Sequence, residues 1–217
     1  DSAVPVSRFP VGSSAAIIGG SLALVRTSSS GQATIDITTK DLGIGIYEDN
    51  TEAIDGEIIV KTKVPGETVS KNLVIKNTKT TDTGYDTYVR VTIYKTWGEM
   101  SDSQNKIFIK DSSLEQLDQI ILGITQDPNW YLSTVASTNE ETVLYYKVPI
   151  KPGESTTPFL NSIKIDESLG NKYADKSILL DIDADAVQVI DGVDAISSAW
   201  GISVSVNNLG EITSIAE

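Results

Sequence analysis

The chain has 217 residues, 30 Asp and Glu against 17 Lys and Arg, a formal net charge of −13, and neither Cys nor His. Without Cys there is no disulfide, thiolate metal site or cysteine nucleophile; without His, an H-E-x-x-H zinc helix and a Ser-His-Asp triad are both excluded. The charge argues against a phosphate-backbone partner, hence against nucleic acid, and a chain of this length can bury roughly 70% of its extended surface with no covalent staple.

In chain order, residues 1–34 come first, rich in Ser, Ala, Gly and Val, with little charge and one aromatic, Phe9. Pro5 and Pro10 oppose an early helix, and Gly19-Gly20 would weaken one through the middle. The most apolar stretch, "AAIIGGSLALV" from Ala15 to Val25, falls short of the ~20 residues of a membrane span, and no longer apolar run occurs. It resembles the h-region of a secretory signal in length; a chain that opens on Asp1 reads as already processed, with this segment retained. At period two, Ile17, Ser21, Ala23 and Val25 point one way and Ile18, Leu22 and Leu24 the other. The expectation is an extended arm, apolar on both faces and needing a cover.

From residue 33 the pattern turns to alternation: "ATIDITTKDLGIGIYED", "GEIIVKTKV", "KNLVIKNT", "DTYVRVTIYKTW", "KIFIKD", "TVLYYKVPI", "FLNSIKI", "SILLDIDADAVQVI" and "WGISVSVN". Turn chemistry separates these runs: "PGE" twice, "TDTG", "SLGNK" and "DGVD". One helix is expected in "DSSLEQLDQIILGIT", where Ser112 and Glu115 have capping-box spacing and Leu114, Leu117, Ile120, Ile121 and Ile124 form a stripe. A second, around "DAISSAW", is weaker. The repeated Pro-Gly-Glu predicts two type II turns, Pro setting the first central φ and Gly the positive second. Each launches a strand, with Val69, Leu73 and Ile75 after the first and Phe159, Ile163 and Ile165 after the second. Together these predict an all-β antiparallel jelly-roll sandwich (35–217) with one short inserted helix, preceded by the N-terminal arm (1–34).

The ordered set "VPGETVSKNLVIKNT", "DTYVRVTIYKTWGE", "NWYLSTVAS", "TVLYYKVPIKPGESTTPFLNSIKI" and "ILLDIDADAVQV" with a terminal "AW" resembles the TasA/camelysin family of secreted proteins processed by a SipW-type signal peptidase. The likeness runs over about residues 33–202. It implies a jelly-roll subunit of an extracellular biofilm-matrix or pilus-like filament, in which each subunit's N-terminal segment completes the sheet of its neighbour. The front differs: where members carry a short aromatic-Asp element of the "YFSD" kind, this chain has the long apolar arm.

A sandwich that lacks a strand exposes an apolar groove and unpaired backbone, and an extended arm supplies both missing parts. The donor residues are Ala15, Ala16, Ile17, Ile18, Gly19, Gly20, Leu22, Ala23, Leu24 and Val25. Burial of their side chains and the entropy of ordering them are similar in size, so backbone pairing decides the outcome. Donor and acceptor are different surfaces, so identical subunits join head-to-tail in an open polymer, with room for a minor or capping subunit. Self-insertion of the arm and a leader without a docking role are the alternatives. The whole protein is then expected to be secreted or cell-surface, and not an enzyme.

Three other constellations compete. Asp181, Asp183 and Asp185 share one face of a strand and are a weak candidate for a hard cation such as Ca²⁺; a solvated sheet face has the same look. Trp97, Trp130 and Trp200 with Tyr85, Tyr88, Tyr94, Tyr131, Tyr145 and Tyr146 suit either a sugar-binding face, and so a monomeric adhesin, or a sandwich core. A glycosidase-type carboxylate pair has no sequence signature to select it among 30 acids. No cofactor is implied.

Overall fold

Alternating apolar residues become strands where each has a core to face, and here two sheets provide it. A computed structural model describes residues 40–53, 56–61, 65–102, 107–173 and 175–217. The strands are β1 (Ile44–Glu48), β2 (Thr51–Glu52), β3 (Glu57–Lys61), β4 (Thr68–Asn77), β5 (Thr87–Asp102), β6 (Ile107–Lys110), β7 (Ile120–Ile124), β8 (Trp130–Leu132), β9 (Glu141–Ile150), β10 (Leu160–Ile165), β11 (Ser177–Gln188), β12 (Ser203–Val206) and β13 (Ile212–Ala216), with one α-helix, α1 (Gly192–Trp200). The first sheet runs β2-β1-β4-β10-β7 and the second β3-β11-β5-β9-β8, with β6 pairing β5; all of these strand pairs are antiparallel.

Between the sheets lie Leu73, Ile75, Val91, Ile93, Trp97, Phe159, Leu160, Ile163, Ile178 and Leu180, each almost wholly buried. A second apolar cluster forms on the outer face of the second sheet. There Tyr88, Val143, Tyr145 and Val187 are covered by Ala195, Ile196 and Trp200 of α1 and by Ile202, Val204 and Ile212 around the β12–β13 hairpin. The helix ends because Gly201 adopts φ +71 and its N–H returns to the carbonyl of Ser197.

The strand pairings nest. β3 pairs with β11, β4 with β10, and β5 with β9, as in an antiparallel ribbon folded over on itself. The innermost two, β7 and β8, do not pair: β7 ends the first sheet and β8 pairs with β9.

The two Pro-Gly-Glu turns are related through the β4–β10 pair. Gly66 (φ +87) precedes β4 and gives its N–H to the carbonyl of Ile165, the last residue of β10; Gly153 (φ +85) precedes β10 and gives its N–H to Asn77, the last of β4. Each turn thus launches one strand and pins the far end of the other. The fully buried Asn77 side chain donates to the carbonyls of Tyr85 (2.9 Å) and Ile150 (3.3 Å), and its own oxygen accepts from the Lys79 N–H, so it carries no unmet polar group.

The helix expected at 112–124 is absent. The segment is a single 3-10 turn, Leu117–Gln119, followed by β7, and the helix of the fold is the weaker candidate at 192–200. The Asp111 carboxylate takes the N–H and hydroxyl of Ser113, building a local turn in place of a capping box. Lys95 Nζ donates to the carbonyls of Leu117 (3.0 Å) and Ile120 (3.2 Å), and Trp97 Nε1 to that of Gln116 (3.2 Å). Side chains of β5 therefore claim the backbone that a helix would have used.

Candidate functional site: an unpaired strand edge over a half-covered cleft

β7 joins the first sheet through β10 alone, in the register Ile121↔Lys164, Leu122↔Ile163 and Gly123↔Ser162. No described strand lies along its other edge; the Ile120 carbonyl there is taken by Lys95 Nζ, and the alternate backbone groups beyond it face outward without a ladder. Its inward side chains, Leu122 and Ile124, are packed on the core yet only half-buried, and the outward Ile121 is 41% exposed. Across the gap, Leu132 of β8 is 42% exposed.

Between these two edges is a cleft of about 250 Å³. Ile124, Trp130, Leu132 and Leu144 form its apolar part, and the 125–128 turn its polar end. The Trp130 ring is fixed by Tyr146 (centroids 4.7 Å), by Phe159 (5.6 Å, edge-on) and by a 3.0 Å hydrogen bond from Nε1 to the Thr157 carbonyl. Asp127 Oδ1 accepts the Asn129 N–H, which turns the chain from one sheet to the other. Chemically the site offers backbone hydrogen bonds along one lane and an apolar slot beside it.

The opposite side of the sandwich differs. There Ile58 and Val60 of β3 are buried, Ala53 packs on the core, and Gly56 lies so close to the Ile182 carbonyl that an added Cβ would stand 2.2 Å from it. The inward side chains are covered there, while the outer edge of β3, like that of β7, has no described strand beside it.

The donor residues Ala15 to Val25 lie outside the described residues. The described chain begins at Lys40, whose ammonium sits 5.9 Å from the Tyr85 ring centre, and Asp41 donates its N–H to Thr83 (2.7 Å). From there the chain enters β1, with β4 and β10 between it and β7.

Asp181, Asp183 and Asp185 fall on the outer face of β11, as the alternation predicted, but they do not act together. Asp185 is taken by Arg90, whose Nε (3.0 Å) and Nη2 (2.5 Å) both reach Oδ2 while the guanidinium lies 5.8 Å from the Trp200 ring centre. Partial burial, then the neighbouring Asp183 charge, raises the pKa of Asp181. Among the described residues no three acids converge in a cation-holding group. The three tryptophans and Tyr88, Tyr145 and Tyr146 are buried in the two cores, and Tyr94 is exposed (37%). Burial, with Glu141 and Asp183 close by, raises the Tyr94 pKa.

Of the cleft residues, the sequence names Trp130 only among aromatics that suit a sugar-binding face or a core and Ile124 only within a helical stripe, while Leu132 and Leu144 carry no signal of a site. The available signal was the period-two placement of Ile120, Leu122 and Ile124, which competes with the 3.6-residue stripe in the same segment. No family model, no curated protein and no solved structure matches the chain.

Proposed function

We propose that this protein is the structural subunit of an extracellular filament of the TasA/camelysin kind, polymerising head-to-tail by donation of its N-terminal arm to the next copy. The observation that carries the reading is the unpaired edge of β7 beside a half-covered apolar cleft. Sandwiches normally blunt, cover or pair such an edge, and a strand supplied by another chain pairs it. The nested strand pairs support a jelly-roll description: β3–β11, β4–β10 and β5–β9 are formed, and the fourth, β7–β8, is opened. The vacant lane in the first sheet is the natural place for a foreign strand.

The apolar arm supplies the complementary half. Copies of a chain with net charge −13 repel one another, so a polymer needs a specific apolar and hydrogen-bonded joint to outweigh that repulsion. A secreted or surface-attached location accords with the acidic, cysteine-free composition. Burial of the tryptophans in the two cores weighs against the alternative of a sugar-binding adhesin, which needs aromatic faces open to solvent.

Electron microscopy of the purified chain beside a variant lacking residues 1–30 tests the proposal. Filaments from the full chain and monomers from the truncated form are expected. Filaments from both would place the assembly contact in the sandwich and remove the arm's role; monomers from both would end the filament reading.

A further inference from the structure

We infer that the free edge of β3 is a homodimer contact: two copies pair antiparallel through β3 about a two-fold axis at Ile59, joining their second sheets into one. The contact uses neither the arm nor β7, so it stands apart from the filament reading, in which it would tie one polymer to another.

β3 is the first strand of the second sheet and pairs with β11 alone; among the described residues no strand lies along its other edge. Its five residues, Glu57–Lys61, keep register with β11 without a shift and include no proline. The edge is therefore straight, about 17 Å long at roughly 3.3 Å per residue, and lacks the bulge or proline that blunts an exposed strand. Ile58 and Val60 are already buried in their own core, so only the backbone and the outer face are left to a partner.

The strand's own residues select that partner. Turned about Ile59, Glu-Ile-Ile-Val-Lys sets an acid against a base and an aliphatic against an aliphatic. In the two-fold register Ile59↔Ile59, residue 57 of each copy falls opposite residue 61 of the other, a glutamate against a lysine, and Ile58 falls opposite Val60. Opposite charges directly across a ladder stabilise it, and like charges do the reverse. A parallel pairing in register would set glutamate beside glutamate, and a one-residue slip would exchange the faces. Neither β7 (Ile-Ile-Leu-Gly-Ile) nor β8 (Trp-Tyr-Leu) carries a charge, so neither selects a register with itself in this way.

The surroundings of Glu57 point the same way. It is exposed, stands opposite Asp181 in the β3–β11 register, and makes no ion pair among the described residues. A single copy thus keeps two acids side by side, and a lysine brought to the open side of Glu57 offsets that repulsion. Leu179 of β11 is the register partner of Ile59, and both are half-buried. The two-fold axis gathers these aliphatic side chains into one strip, Leu179–Ile59–Ile59–Leu179, with a glutamate–lysine pair at either end.

A ladder of five residues is small beside a standard interface, so the dimer is short-lived and is best read by a covalent trap. The chain has no cysteine, and residue 59 sits on the axis, where opposed Cα atoms are about 4.5–5.5 Å apart, within disulfide reach. Full-length Ile59→Cys under mild oxidation is expected to give a covalent dimer at least about tenfold faster than Ser214→Cys, an exposed position on β13. Adding Glu57→Lys or Lys61→Glu to Ile59→Cys should slow the reaction about tenfold, since each sets like charges opposite one another at both ends of the strip. Both changes in one chain should restore it, and so should mixing the two singly changed chains, because all four charges then face opposites. Restoration also shows that the variants fold. Dimers that form no faster than from Ser214→Cys, or that ignore the single charge changes, would overturn the contact; loss without restoration would overturn the two-fold register. The filament reading is judged apart, by electron microscopy, and the cross-linking result holds whether or not the native chain forms filaments. Where it does, Glu57→Lys should polymerise as well, and loss of its filaments would place β3 in the polymer joint and overturn the separate dimer.

Discussion

Gly56 and Gly153 have the same backbone need and different surroundings, and replacing each by Ala separates the two effects. Both have positive φ, +68 and +85, where an L side chain costs about 1–2 kcal/mol. A Cβ on Gly153 meets nothing within 4 Å, so Gly153→Ala should lose that amount alone. A Cβ on Gly56 would stand 2.2 Å from the Ile182 carbonyl oxygen and 3.3 Å from Ile46 Cδ1. Ile182 is held in β11 between β3 and β5 and cannot retreat. Overpacking of this kind adds about 1–3 kcal/mol, so Gly56→Ala should lose about 2–5 kcal/mol in total. For a chain of this size each kcal/mol moves the melting temperature by roughly 2–4 °C. Calorimetry of the two variants under one condition is the assay, with denaturant midpoints as the check. Equal losses at both positions would refute the argument, because they would show that the backbone around Gly56 yields freely and is not held against the Ile182 carbonyl.

Three further outcomes follow from the same contacts. Trp130→Ala should lose about 3–5 kcal/mol, since it removes the ring held by Tyr146 and Phe159 and leaves the Thr157 carbonyl without its donor; a denaturant midpoint close to native would show that the ring is not part of the cooperative core. Tyr88→Phe deletes the hydroxyl that donates to the Gly210 carbonyl and should lose about 1 kcal/mol, read as faster amide exchange confined to the β12–β13 hairpin; unchanged exchange there would sink the idea that this bond ties the hairpin to β5. For Asp181→Asn the sign depends on pH: the folded pKa of Asp181 is raised by burial and by Asp183, so its charge opposes folding at neutral pH and the penalty fades as pH falls through that pKa toward the ordinary 3.8. The variant should therefore have the higher urea midpoint at pH 7 and lose its advantage below pH 3.8; an advantage that persists in acid would show a cause other than charge. Asp111 and Asp166 work the other way, their carboxyls held low by hydrogen bonds from Ser113 and Ser168, so their contribution is present above 3.8 and lost on acidification.

Much of the architecture follows from local pattern. Alternation in "KNLVIKN", "YVRVTIYKTW" and "SILLDIDADAV" puts Leu73, Ile75, Val91, Ile93, Ile178 and Leu180 together between the sheets because a strand has period two and these positions share one face of each strand. The two Pro-Gly-Glu turns are equally local, since a positive φ at Gly66 and Gly153 is a demand that glycine meets by itself. Tertiary structure decided the rest. Residues 112–124 satisfy a helical stripe and an alternating strand at once, and the choice fell to Lys95 and Trp97, distant in sequence, whose donors claim the carbonyls of Gln116, Leu117 and Ile120. Arg90 likewise took Asp185 from the aspartate row through a register between β5 and β11 that spans 95 positions of sequence. The free edge of β7 belongs to the same class: an alternating run states which side chains turn inward, but its partner strand is chosen by hydrogen bonds to residues far along the chain, and so is the place where no partner comes.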